Sequence, residues 1–159
     1  MNLNYKIIIV NFFVFVILLF FCEIFLRIYF NNNLNYNIEM WKYANTLKKP
    51  SDNTNLPFTH YPNKSGNFYN VEISTNSHGF RDFEYKIKND ENKKRILILG
   101  DSFTLGWGVS LNDLFSKKLE KKLNKQNNNF EVINTGIGNY NSTMQVELFK
   151  EYGIKFNPD

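Results

Sequence analysis

Four consecutive aliphatic residues, Ile96-Leu97-Ile98-Leu99, stand between Lys94-Arg95 and Gly100-Asp101-Ser102, and this junction restricts the fold more than any other stretch. A short aliphatic run opened by charge and closed by glycine has the pattern of a strand buried on both faces. The chain leaves it through Gly100, whose backbone reaches angles that other residues resist, so a sharp turn is expected there. Ser102 then falls just past the carboxyl end of the strand, where open α/β sheets place their ligands. With Gly106 and Gly108 following in the same loop, this is a suitable position for an exposed serine nucleophile. The plainer reading is a polar turn with a capping serine. Gly-Asp-Ser alone is too common to choose between them; its place directly after a buried strand favours the nucleophile.

The residues beyond the serine extend the same architecture. Ser110, with Asp113 three residues on, has the form of a helix start. Leu111, Leu114, Phe115, Leu119 and Leu123 trace one helical face, leaving Lys117, Lys118, Lys121, Lys122 and Lys125 for the polar face. Asn127–Asn129 are expected to end this helix. Phe130-Glu131-Val132-Ile133 reads as a second strand, running into the glycine-bearing loop 134–141. Asn141 or Ser142 caps a further helix carrying Met144, Leu148, Phe149 and Tyr152, closed by Gly153. Strand, helix, strand, helix implies parallel strands with right-handed crossovers. Both glycine-bearing loops then lie at one edge of the sheet, the second able to approach Ser102. Neither has the spacing of a nucleotide site: Gly100, Gly106 and Gly108 do not make G-x-G-x-x-G, and Gly136-x-Gly138 lacks a third glycine. No cofactor is expected.

The amino terminus is of another kind. Ile7–Cys22 is apolar except for Asn11, and Ile24–Phe30 continues the run with only Arg27 polar. Twenty helical residues cover about 30 Å, the thickness of a bilayer's hydrocarbon core. Glu23 and Arg27, four apart, can pair on one helix face. No small-x-small cleavage site follows, and Leu19-Phe20-Phe21 ahead of Cys22 is too bulky for lipoprotein processing, so an uncleaved anchor over residues 1–30 is expected. Lys6 precedes the span while Arg27 and Lys42 follow it, so charge does not fix its orientation.

Residues 31–60, polar and carrying Pro50 and Pro57, read as a linker. Within it Met40, Trp41, Ala44 and Leu47 permit a short amphipathic helix, with Trp41 and Tyr43 either at the membrane interface or packed on the later domain. Residues 61–93 read as a β-rich segment. Phe68, Val71 and Ile73 fit a strand, and Asn76-Ser77-His78-Gly79 supplies turn chemistry ahead of Arg81-Asp82. His60 and His78 are the only histidines. His78 invites pairing with Ser102, since triads occur in every chain order, but a histidine inside a tight turn more often serves the turn. No metal site is expected from two histidines without Cys or acidic neighbours. The single cysteine excludes an intrachain disulfide, and a net charge of +4 without a basic cluster argues against nucleic-acid binding.

Residues 98–109, Ile-Leu-Gly-Asp-Ser-Phe-Thr-Leu-Gly-Trp-Gly-Val, resemble the first block of the SGNH, or GDSL-type, hydrolases. Residues 132–141, Val-Ile-Asn-Thr-Gly-Ile-Gly-Asn-Tyr-Asn, resemble their second block. Thr75-Asn76-Ser77-His78-Gly79-Phe80-Arg81-Asp82 is similar to a membrane-anchored subgroup associated with bacterial surface polysaccharides. The resemblance covers roughly residues 60–159. It implies a partial three-layer α/β/α (flavodoxin-like) fold whose amino-terminal half is residues 94–159. It also implies that Ser102 is the nucleophile of a carboxylic-ester hydrolase, with its own N–H as one oxyanion donor. The second donor would be the backbone N–H of Gly138 or, by simple register, Asn139. Asp101 would support the turn rather than act as base.

Fixed donors of this kind stabilise the tetrahedral intermediate by roughly 3–4 kcal/mol each. The family's Gly-x-Asn-Asp and Asp-x-x-His blocks, which supply a further donor and the base, do not occur in this chain. The chain is therefore expected to be an amino-terminal fragment, inactive as it stands, of a membrane-anchored esterase or deacetylase. The resemblance places its soluble part outside the cytoplasm, acting on acyl esters of a glycan or a small ester. An O-acyltransferase on the same scaffold and a non-catalytic anchored interaction module are the alternatives.

Overall fold

The computed structural model describes residues 3–89, 92–126 and 129–159. The chain divides into two compact units, Met1–Ile38 and Glu39–Asp159. The first is dominated by helix α1, Leu3–Asn32. Its span Tyr5–Asn31, in which an 18-residue stretch has a mean hydropathy of 2.9, is long and apolar enough to cross a membrane, as a signal sequence also would be. Apolar side chains are exposed around the whole helix, so it has no face suited to water. Arg27 Nε donates to Glu23 Oε1 at 2.8 Å, as the spacing predicts. Asn35 Oδ1 accepts from the N–H groups of Asn37 and Ile38 and so caps α2, Tyr36–Leu47.

In the second unit, the stretch expected as linker is ordered. Helix α2 buries Met40, Tyr43 and Leu47, while Trp41 is exposed. Tyr43 is thus a core residue, and methionine and aromatic side chains at helical spacing do the work that aliphatics do elsewhere. Strand β1 (Lys48–Pro50) pairs antiparallel with β2 (Phe58–His60), in register Lys48↔His60. Pro50 ends an edge strand, a place where its missing N–H costs nothing. Phe68, Val71 and Ile73, expected on one strand, lie on two. Strands β3 (Ser65–Phe68) and β4 (Val71–Ser74) form a hairpin. Its turn residues Tyr69 and Asn70 both have positive φ, 54° and 59°, as the tightest hairpin turns require.

Strands β5 (Lys94–Ile98) and β6 (Phe130–Asn134) form a parallel pair, Lys94↔Phe130 through Ile98↔Asn134. Short helix α3, Ser102–Leu105, follows β5. The crossover helix α4 spans Phe115–Leu123. It starts later than the leucine pattern suggests, because Leu111–Asp113 forms a separate 3-10 turn. Asn127 and Asn128, expected to close this helix, lie outside the described residues. Helix α5, Ser142–Glu151, is capped by Asn141, whose Oδ1 accepts from Met144 N–H at 3.0 Å.

Two expectations are corrected here. Strand β6 is buried on both faces, but Ile96, Leu97 and Ile98 of β5 are only half-buried. At the outer edge of β5, Asp159 N–H donates to Arg95 O (3.0 Å) and the Asp159 carboxylate accepts from Arg95 N–H (2.7 Å). Lys117, expected on the solvated face of α4, is buried. Its Nζ reaches Asp82 Oδ1 (2.6 Å), Glu120 Oε2 (3.1 Å) and Val132 O (2.8 Å), and a buried ammonium is tolerated when it is paired in this way. The core has two parts, one around Phe80, Ile133, Ile137, Leu148 and Phe156, the other around Tyr43, Leu47, Phe68, Ile73 and Leu105. The chain is thus mixed α/β, with one amino-terminal apolar helix and short sheets that include a parallel pair.

Candidate active site

Helix α3 is a single turn set on the end of β5. Asp101 Oδ1 accepts from Phe103 N–H at 2.9 Å, and Gly106, at φ 80°, ends the turn in the left-handed conformation that glycine takes without strain. Gly100 is needed for closeness: a Cβ there would lie 1.8 Å from Thr104 Oγ1. Ser102 opens the helix and is half-buried. Its hydroxyl has no hydrogen-bond partner among the described residues. Phe103 beside it is 87% exposed.

The loop after β6 is stitched to this turn. Thr135 N–H and Oγ1 both donate to Ile98 O (3.0 and 2.9 Å), and Ile137 N–H donates to Gly100 O (3.2 Å). Asn134 Nδ2 donates to Thr104 O (2.7 Å), while its Oδ1 accepts from Gly136 N–H (2.9 Å). A Cβ on Gly136 would meet Leu105 N at 2.3 Å, so the two loops touch backbone to backbone. Asp101, Ser102 and the loop carrying Gly138 and Asn139 are therefore brought to one end of the parallel pair.

The two candidate second donors differ. Gly138 is buried and its N–H donates to Tyr43 Oη at 3.0 Å. Asn139 is exposed, at φ 70°. Of the pair, only Asn139 keeps its amide clear of that bond to Tyr43.

Neither histidine pairs with Ser102. His78 Nε2 donates to Tyr85 O at 2.9 Å, and its ring stands edge-on to Phe156 at 5.0 Å. His60 is buried: Nδ1–H donates to Gly79 O at 3.0 Å, so Nε2 accepts from the Tyr43 hydroxyl at 2.5 Å. Burial pushes its pKa down to about 4, with the bond to Gly79 opposing, and pushes the Tyr43 phenol up. Both are neutral at pH 7. Both histidines line a cavity of about 110 Å³, with Ile137 and Leu148. Among the described residues no three of His, Cys, Asp and Glu gather as a metal ligand set.

Sequence reading missed the residues that hold this arrangement. The Arg81 guanidinium is fully buried and donates to Leu105 O (2.9 Å), Gly106 O (2.7 Å), Val109 O (2.7 Å) and Glu72 O (3.1 Å). It thereby clamps the exit from α3. Burial lowers its pKa to about 10, which still leaves it charged. Asp82 accepts from Asn134 N–H at 2.7 Å and faces Lys117; burial raises its pKa against the pull of that ammonium. Adjacent side chains of one turn thus grip both loops, Arg81 the first and Asp82 the second. The Arg-Asp pair directly after a tight turn was the available signal.

No family model matches this chain, and no curated protein matches it.

Proposed function

We propose that this chain carries the serine half of an acyl-ester site, anchored to a membrane by α1. The observation that supports it is Ser102 itself. It is half-exposed at the carboxyl end of a parallel strand, with the 134–139 loop fastened against Gly100, Thr104 and Leu105. In this reading Ser102 Oγ attacks an ester carbonyl and its proton passes to a base. The negative charge on the former carbonyl oxygen is met by the N–H groups of Ser102 and Asn139. Collapse expels the alcohol, protonated by the same base, and water then releases the acid. Passing the acyl group to a sugar hydroxyl instead would make the protein an acyltransferase of the SGNH type. His60 and His78 are both engaged elsewhere, so neither is placed to act as that base.

The test is hydrolysis of nitrophenyl acetate by the whole protein in detergent. Turnover should fall by about a thousandfold or more in Ser102→Ala. Turnover that Ser102→Ala leaves intact would remove the basis for the proposal. Absence of turnover in the parent protein would favour a non-catalytic module. Products measured with and without a sugar acceptor separate hydrolase from transferase.

A further inference from the structure

Three of the buried or partly buried cations of this chain have an evident counterpart. Lys117 faces Asp82 and Glu120, Arg95 Nε lies 2.7 Å from Glu131 Oε2, and Arg81 is surrounded by four carbonyl oxygens. Lys48 is different. It begins β1, where its backbone pairs with His60. Its ammonium lies 4.0 Å from the centre of the Phe58 ring and 5.3 Å from that of Tyr43, and donates to Asn139 Oδ1 at 3.1 Å. Asn139 is neutral, and no carboxylate lies within ion-pair distance of Lys48 among the described residues.

The titratable groups around it do not supply a negative charge either. Tyr43 on α2 has its pKa raised by burial, as has Tyr140, whose hydroxyl donates to Phe58 O. His60 on β2 is neutral at pH 7. Burial lowers the Lys48 pKa to about 8, so it is mostly charged at neutral pH. An ammonium has three donors, and among the described residues one of them finds an acceptor. Two aromatic rings make a favourable wall for a cation, but they do not neutralise it.

We propose that Lys48 receives an anionic group, a carboxylate or a phosphate, of a ligand that docks against the exposed Asn139 loop. The ligand completes the charge that the fold leaves open, and Asn139 Oδ1 holds the ammonium toward it. The inference does not depend on Ser102 being a nucleophile. If Ser102 is one, the ester it cleaves carries a negative charge close to the scissile group.

The experiment is competitive acetylation of the whole chain in detergent with acetic anhydride, read lysine by lysine by mass spectrometry across pH. In chloride, Lys48 should titrate near pH 8. Replacing chloride by phosphate or by formate at constant ionic strength should raise that midpoint by about one unit or more, as a bound opposite charge does. Acetylation of Lys64, which lies 5.1 Å over the Tyr61 ring, should not respond. A shift with phosphate alone assigns a phosphate ligand, and one with formate a carboxylate. No shift with either, or an equal response at Lys64, overturns the proposal and leaves Lys48 as a cation held between rings. As a second reading, the anion should raise the Tm of the parent but not of Lys48→Met. An equal rise in both would also overturn it. Neither readout uses turnover, so failure here and failure of the esterase reading are distinguishable.

Discussion

Arg81 holds four main-chain carbonyls, one of which, Gly106 O, also accepts from Val109 N–H. Arg81→Met should cost about 3–5 kcal/mol in urea denaturation, because the buried oxygens lose their partner rather than exchanging it for water. Arg81→Lys should recover only part of this, since one ammonium cannot span the fork. His60 gives a pH signature. Above its unfolded value of 6.5 both states are neutral; between 6.5 and about 4 only the unfolded chain takes up the proton. Stability should therefore fall as the pH falls through that window, by about 3 kcal/mol in total, and level off below it. His60→Gln, which keeps an acceptor and a donor, should lose this slope when the two unfolding curves are compared. At this scale the sequence was only partly transparent. Ser102 announces itself through a strand end, and Asn141 as one of two cap candidates beside Ser142. Lys117 does not, because its helical spacing places it on the polar face, and what draws it inward is an aspartate on another segment.

Glycines decide how closely the elements approach one another. Gly136→Ala would drive a Cβ to 2.3 Å from the Leu105 backbone nitrogen, which cannot yield as a side chain would. Its cost should lie at the upper end of the roughly 1–3 kcal/mol typical of overpacking. Gly108→Ala, whose Cβ would stand 3.5 Å from Tyr69 at φ 74°, should cost only the left-handed backbone term, about 1 kcal/mol. The order of the two, measured by denaturation, checks whether the loops touch as described; an equal cost would contradict it. The parallel pair and its two loops were legible because β5 carries an unbroken aliphatic run closed by Gly100, and β6 a shorter apolar pair, Val132-Ile133, three residues ahead of Gly136. The β3–β4 hairpin was not, because Tyr69-Asn70 takes positive φ without the Asn-Gly signature. The β1–β2 pair was hidden by Pro50 and Pro57, which suggest a linker although one of them merely ends an edge strand.

For the molecule as a whole, α1 predicts behaviour that can be measured directly. The intact chain should stay with membranes through an alkaline carbonate wash and keep its first residues by intact mass, whereas a chain begun at Glu39 should be released. Loss of the amino-terminal residues in the mature protein would instead identify α1 as a signal sequence. The contacts that close Glu39–Asp159 join distant parts of the chain: Asp82 to Asn134 across 52 residues, Tyr43 to Gly138 across 95, and Asn53 to Glu151 across 98. Such distant pairings fold late. A ribosome delivers α1 first, then Tyr43 and Arg81, and only later the loops that engage them. Until those loops arrive the newborn polypeptide displays a guanidinium without the carbonyls of residues 105–109 and a phenol without the amide of Gly138, so chaperones and proteases at the site of synthesis meet both groups first.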